Sequence, residues 1–147
     1  MGNNRFNNRN SKTFLRQRKN LSIKNQGQVK KEILVFGFSN IDRSQGQKFV
    51  DWEEFKLLSK ALERIAGLSS MTLEQAVTEQ IIKIYGKGMP PKSGFTFPKH
   101  IPEDIEWASI RIQGQERIIG FIEKGYIFQV VFMDKEHQFY PSKKKHT

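Results

Sequence analysis

Four residues near the C-terminal end of this 147-residue chain have the types needed for phosphate chemistry. Arg111 and Arg117 lie in "IRIQGQERIIGF", residues 110–121, on either side of a Gly-Gln turn signal and embedded in isoleucine. His137 and Tyr140 follow in "DKEHQFYP", residues 134–141. Two arginines supply permanent positive charge and forked N–H donors that match phosphate oxygens. Histidine and tyrosine are residue types that move protons in general acid–base catalysis. The plainer alternative keeps the arginines as solvent-facing strand residues paired with Glu116 or Glu123, His137 as a strand-end residue, and Tyr140 as the closure of a core edge. "DKEH" is too tight a turn to offer convergent metal ligands, so no metal and no cofactor is expected.

The charge of the chain is uneven. The net charge is +10, yet residues 1–31 carry nine Lys/Arg and no acid, and residues 143–145 add three lysines. Between them, residues 32–142 hold 13 Lys/Arg against 15 Asp/Glu. A near-neutral body with basic ends is therefore expected: a disordered basic arm over 1–31, a single domain over 32–142, and a basic tail over 143–147. Arg16, Arg18 and Lys19 sit in the densest part of the arm. Basic arms favour nucleic acid by neutralising phosphates and releasing counterions, so these three are candidate RNA contacts; the alternative is a solubilising tail. The absence of cysteine excludes disulfides and thiolate metal sites. No apolar run reaches the roughly 18 residues of a membrane span, and no apolar stretch follows the basic N-terminus as in a secretory signal. A cytoplasmic protein that makes no membrane contact is the expectation.

The elements that position the four residues follow from periodicity. "EILVFGFSNID", 32–42, is apolar on both alternating faces and reads as a strand covered on both sides. "DWEEFKLLSKALERIAG", 51–67, reads as a helix capped by Asp51 with Glu54 three residues on, striped by Phe55, Leu58, Leu62 and Ile65, and stopped by Gly67. "TLEQAVTEQIIKIYG", 72–86, repeats the scheme with Thr72 and Gln75 as the cap, Val77, Ile81 and Ile84 as the stripe, and Gly86 as the stop. Residues 86–105 hold four of the five prolines and form a long loop, with Phe95 and Phe97 available to pin it to the core. Three β-rich runs then follow with short connections, which implies an antiparallel meander. The order β-α-α-β-β-β gives an α+β fold, a helical hairpin packed on a small, mainly antiparallel sheet. Two hairpin registers are open. A two-residue turn would pair Ile112 with Arg117 and put Arg111 on the opposite face. A three-residue turn would pair Gln113 with Arg117 and put both arginines on one face.

This order, with its "R-I-x-x-x-x-R-I-I" hairpin and a His/Tyr end, resembles the RelE/ParE superfamily of bacterial toxins, and most closely its YoeB/Txe branch. The likeness covers residues 32–141 in topology and 107–140 in motif. That branch ends in an adjacent His-Tyr pair, whereas two residues separate His137 from Tyr140 here. The resemblance implies the toxin of a toxin–antitoxin pair, which binds the ribosome and cleaves mRNA without metal. It would assign Arg117 to transition-state charge, Arg111 to a supporting phosphate contact, and His137 or Tyr140 to proton transfer. It also implies a small antitoxin covering the groove that holds Arg117 and His137. The competing class is a non-catalytic module that holds nucleic acid or protein, including a ParE-like topoisomerase poison.

Overall fold

The computed structural model describes residues 32–141, within a unit that runs Glu32–Thr147. Arg16, Arg18, Lys19 and the 143–145 lysines lie outside the described residues. The fold is α+β, with three helices and a five-stranded mixed sheet. In chain order these are β1 (Val35–Gly37), α1 (Phe49–Glu54), α2 (Leu58–Leu68), α3 (Leu73–Thr78), β2 (Ile82–Lys87), β3 (Glu106–Arg111), β4 (Arg117–Glu123) and β5 (Ile127–Asp134). Among the described residues no helix is long and apolar enough to cross a membrane.

The helical segments are shorter than their periodicity predicts, because each stops at a residue other than glycine. In the first, Lys56 takes a left-handed φ of 58°. The Lys56 N–H then bonds the Glu53 carbonyl at 2.9 Å and the Leu57 N–H bonds the Trp52 carbonyl at 2.8 Å. This pair of reversed bonds is how a helix C-terminus satisfies its last carbonyls. Gln80 repeats it at φ 61°, with Gln80 N–H to Val77 O and Ile81 N–H to Ala76 O, both 3.0 Å. The break at Lys56 resets the helical phase. Ala61 and Leu68 become the buried positions of α2, while Phe55 and Leu62 of the expected stripe are 59% and 56% exposed. Gly67 stops nothing; α2 runs through it. Asp51 stands at the third position of α1, where its carboxylate accepts the Lys48 N–H at 2.8 Å. Thr72 caps α3 as expected, with Gln75 N–H to Thr72 Oγ1 at 3.2 Å and Thr72 N–H to Gln75 Oε1 at 3.0 Å.

After Gln80 the chain is extended. "IKIYGK" alternates Ile82 and Ile84 with Lys83 and Tyr85, and its β-branched and aromatic residues suit a pleated surface. It pairs antiparallel with β3, Lys83 opposite Ser109. Residues 82–86, expected to be helical, are thus a fifth strand. The sheet order is β1-β5-β4-β3-β2, with β1 parallel to β5 and every other pair antiparallel. β1 is a three-residue edge strand with Val35 half exposed, so it is not covered on both sides as its composition suggests.

The two faces of the sheet are covered differently. On one, Ile82, Ala108, Ile110, Ile118, Phe128 and Val130 pack under the helices with Trp52, Ala61 and Leu68. On the other, Trp107, Ile119, Phe121 and Phe132 pack under the proline-rich loop, through Phe95, Ile101 and Ile105, and under Phe139 from the C-terminal segment. Phe95 packs at a tilt against Phe132 at 4.5 Å between centroids, and Phe97 meets the edge of Trp107 at 5.9 Å, so both phenylalanines pin the loop. The pairing of β4 with β5 is irregular between Ile119 and Gly120. Ile119 pairs with Phe132 and Gly120 with Val130, leaving Val131 as an extra residue. Gly120 tolerates the close approach because a Cβ there would lie 2.0 Å from the Gln129 carbonyl oxygen. Such a bulge adds a residue to one strand and locally re-aims its side chains. Phe128 and Val130 therefore serve the helix-covered core, while Phe132 and Asp134 turn to the loop-covered face.

Candidate functional site

The hairpin register is neither of those open from sequence. Arg111 pairs directly with Arg117 across β3 and β4. The intervening five residues form a closed loop in which the Ile112 N–H bonds the Glu116 carbonyl at 3.1 Å and the Gly114 N–H bonds the Glu116 carboxylate at 3.0 Å. Directly opposed residues of an antiparallel pair share a face, and opposed like charges repel. Among the described residues neither arginine forms an ion pair with Glu116 or Glu123. Arg117 Nη1 instead donates to the Gly114 carbonyl at 2.6 Å and the Glu116 carbonyl at 3.0 Å. Burial lowers the Arg117 pKa; Tyr85 opposes that shift, and the Arg111 charge adds to it.

Both arginines line a cleft of about 360 Å³, with His137 and Tyr140 in its wall. The remaining wall comes from Gln80, Ile81, Lys83, Tyr85 and Ser109. Gln80 and Ile81 complete the left-handed stop of α3, and β2 follows at once. Alternation along β2 then sends Lys83 and Tyr85 to the face of Ser109, Arg111 and Arg117. The Tyr85 hydroxyl and Ser109 Oγ share a hydrogen bond of 2.8 Å. Burial raises the Tyr85 pKa, so the phenol keeps its proton at neutral pH. Its ring stacks on Tyr140 at 4.9 Å with the planes 4° apart, and Lys83 Nζ lies 5.4 Å from each ring centroid.

Asp134 fixes the C-terminal wall. It is the cross-strand partner of Arg117 and only 1% exposed. Its carboxylate accepts the N–H groups of Gln138 at 2.8 Å and Phe139 at 2.9 Å. Burial raises its pKa against those two bonds and the nearby charges of His137 and Arg117. The turn so formed holds His137 at a left-handed φ of 58°. Among the described residues the buried Nδ1 of His137 has no hydrogen-bond partner. His137 thus combines a left-handed backbone with an unpartnered buried ring nitrogen.

The structure brings together Arg111, Arg117, His137 and Tyr140. Sequence reasoning missed Lys83, Tyr85, Ser109, Gln80 and Asp134. The alternation of Lys83 and Tyr85 between isoleucines was the available signal, masked by an equally good helical spacing of Val77, Ile81 and Ile84. Among the described residues no group of three or more His, Asp or Glu could hold a metal. No protein-family model matches the chain, and no curated protein or solved structure shows significant similarity to it.

Proposed function

We propose that the cleft binds the phosphate backbone of single-stranded RNA and cleaves it, the chain acting as a cytoplasmic toxin of the RelE/ParE kind. The observation that carries this reading is the cationic lining of the cleft. Arg111 and Arg117 face each other, Lys83 stands on the next strand, and no carboxylate is among the lining residues. A bound phosphate relieves the mutual repulsion of the cations. Metal-free cleavage follows from the residue types. The ribose 2′-oxygen attacks the adjacent phosphorus, and the bond from phosphorus to the 5′-oxygen breaks. The products are a 2′,3′-cyclic phosphate and a free 5′-hydroxyl. His137 and Tyr140 are the groups that take the proton from the 2′-hydroxyl and return one to the 5′-oxygen. Arg117 and Arg111 stabilise charge on the pentacoordinate phosphorane. The ribosome would present the RNA, and a small antitoxin would cover the same cleft.

One observation favours a second reading, a nucleic-acid or protein binder without chemistry. Arg117 Nη1 already serves two loop carbonyls, so part of its donor capacity is structural. The test is RNA cleavage by the purified chain, with and without ribosomes, beside induced expression in growing cells. Cleaved mRNA and arrested growth support the nuclease. Arrest with a DNA-damage response and intact mRNA supports a topoisomerase poison. Binding with neither effect leaves the plain module.

A further inference from the structure

Beyond Arg117 and His137 the surface opens into a second hollow of about 620 Å³. The same two side chains line it, with Gly114, Gln115, Glu136, Gln138 and Pro141. Arg117 and His137 are therefore a shared wall. The chemistry on its two sides differs. The first hollow collects Lys83, Arg111 and Arg117 and has no carboxylate in its lining. The second has Arg117 as its arginine or lysine, together with two primary amides and the Glu136 carboxylate. Gln115 Nε2 reaches across to Glu136 at 3.4 Å, and Lys135 pairs with the same carboxylate.

Glu136 is paired with Lys135 and Arg117 is shared with the first hollow, so the lining of the second supplies no further arginine or lysine for a second phosphate. Amides and a carboxylate instead offer donors and acceptors together, the complement of a nucleobase edge, and single-stranded RNA is read by such edges. Resting on the cleavage reading above, we infer that the two hollows form one groove. A single strand crosses it with a phosphate at the Arg117–His137 wall, and the second hollow is a nucleoside subsite that holds the base through Gln115, Glu136 and Gln138. The smallest ligand that fills the groove is a dinucleotide. Because an ionised carboxylate only accepts hydrogen bonds, Glu136 favours a base edge carrying N–H donors.

The test is equilibrium binding of the full chain to 2′-deoxy probes, which lack the attacking hydroxyl and cannot be cleaved. The probes are a nucleoside monophosphate, a dinucleotide, and that dinucleotide with either base removed. The intact dinucleotide is expected to bind about tenfold more tightly than one of its two abasic forms, the equivalent of one or two net hydrogen bonds. The Glu136→Ala/Gln138→Ala double variant should erase that difference while binding the monophosphate as wild type does. A dinucleotide no tighter than the monophosphate overturns the inference. So does an abasic penalty that the double variant leaves intact, or a wild type that binds no probe. RNA cleavage without the base effect removes the subsite and spares the enzyme; the base effect without cleavage does the reverse.

Discussion

The two faces of the sheet are built from the same strands and do different work. The helix-covered face is apolar, with three short helices over isoleucine, valine and phenylalanine. The other is roofed by irregular chain, the proline-rich loop and the turn after β5, and there the cations, tyrosines and His137 gather. Regular elements satisfy their own backbone groups and leave side chains free to pack. Irregular chain brings His137 and Tyr140 to the cleft, while Lys83, Tyr85, Ser109, Arg111 and Arg117 reach it from β2, β3 and β4. Left-handed residues do not divide so cleanly, since Gln80, which ends a helix at φ 61°, also lines the cleft. Lys56 at φ 58° ends a helix, while His137 at the same φ stands in the cleft.

Substitutions in each face should separate stability from activity. The largest effect expected is that of Phe128→Ala, which empties a fully buried site on the helix-covered face. It should cost about 3–5 kcal/mol in denaturant unfolding and leave cleavage per folded molecule unchanged. Arg117→Ala should do the opposite, with cleavage falling about 10²–10³-fold and unfolding changing by about 1 kcal/mol from the lost loop bonds. Equal loss of cleavage in both variants would erase the distinction between the faces.

The next effect concerns Asp134. Its folded pKa lies above the ordinary carboxylate value because burial outweighs its two N–H bonds. The stability it contributes is thus fully present below about pH 3.8 and is lost as pH rises through its folded pKa. In urea unfolding across that range, the deficit of Asp134→Asn relative to wild type should be largest at the acid end and shrink toward neutrality. A deficit that grows with pH would mean the carboxylate is stabilised in the fold, not penalised.

The smallest pair is the sharpest. Glycine adopts a left-handed φ freely, so Lys56→Gly and His137→Gly should each raise stability by about 1 kcal/mol. Only the second should abolish cleavage. If Lys56→Gly also impairs activity, the helix-covered face takes part in the site.

How much of this was legible in the sequence follows the same division. The α+β class, the Thr72–Gln75 cap, the terminal meander and the pinning phenylalanines could be read locally, because each depends on residues close in sequence. The stops at Lys56 and Gln80 could not, since nothing in a lysine or a glutamine announces a left-handed turn. The segment 79–86 satisfies a helical and a strand period at once, and pairing with β3 decides between them. The Arg111–Arg117 register depends on a five-residue loop held by Arg117 itself and by Arg64 Nη2, which donates to the Ile112 carbonyl at 2.8 Å. The four proposed side chains were found by residue type. Their cleft partners on β2 and the turn-setting Asp134 needed the third dimension.

The extra residue at Val131 gives the site an unusual dependence. What turns Asp134, and with it the His137–Tyr140 segment, toward the arginines is the number of residues between Gln129 and Asp134, not the identity of any one of them. The site is in that sense a matter of parity. In a lineage of such chains it would tolerate many substitutions along β5 and be made or unmade by the gain or loss of a single codon.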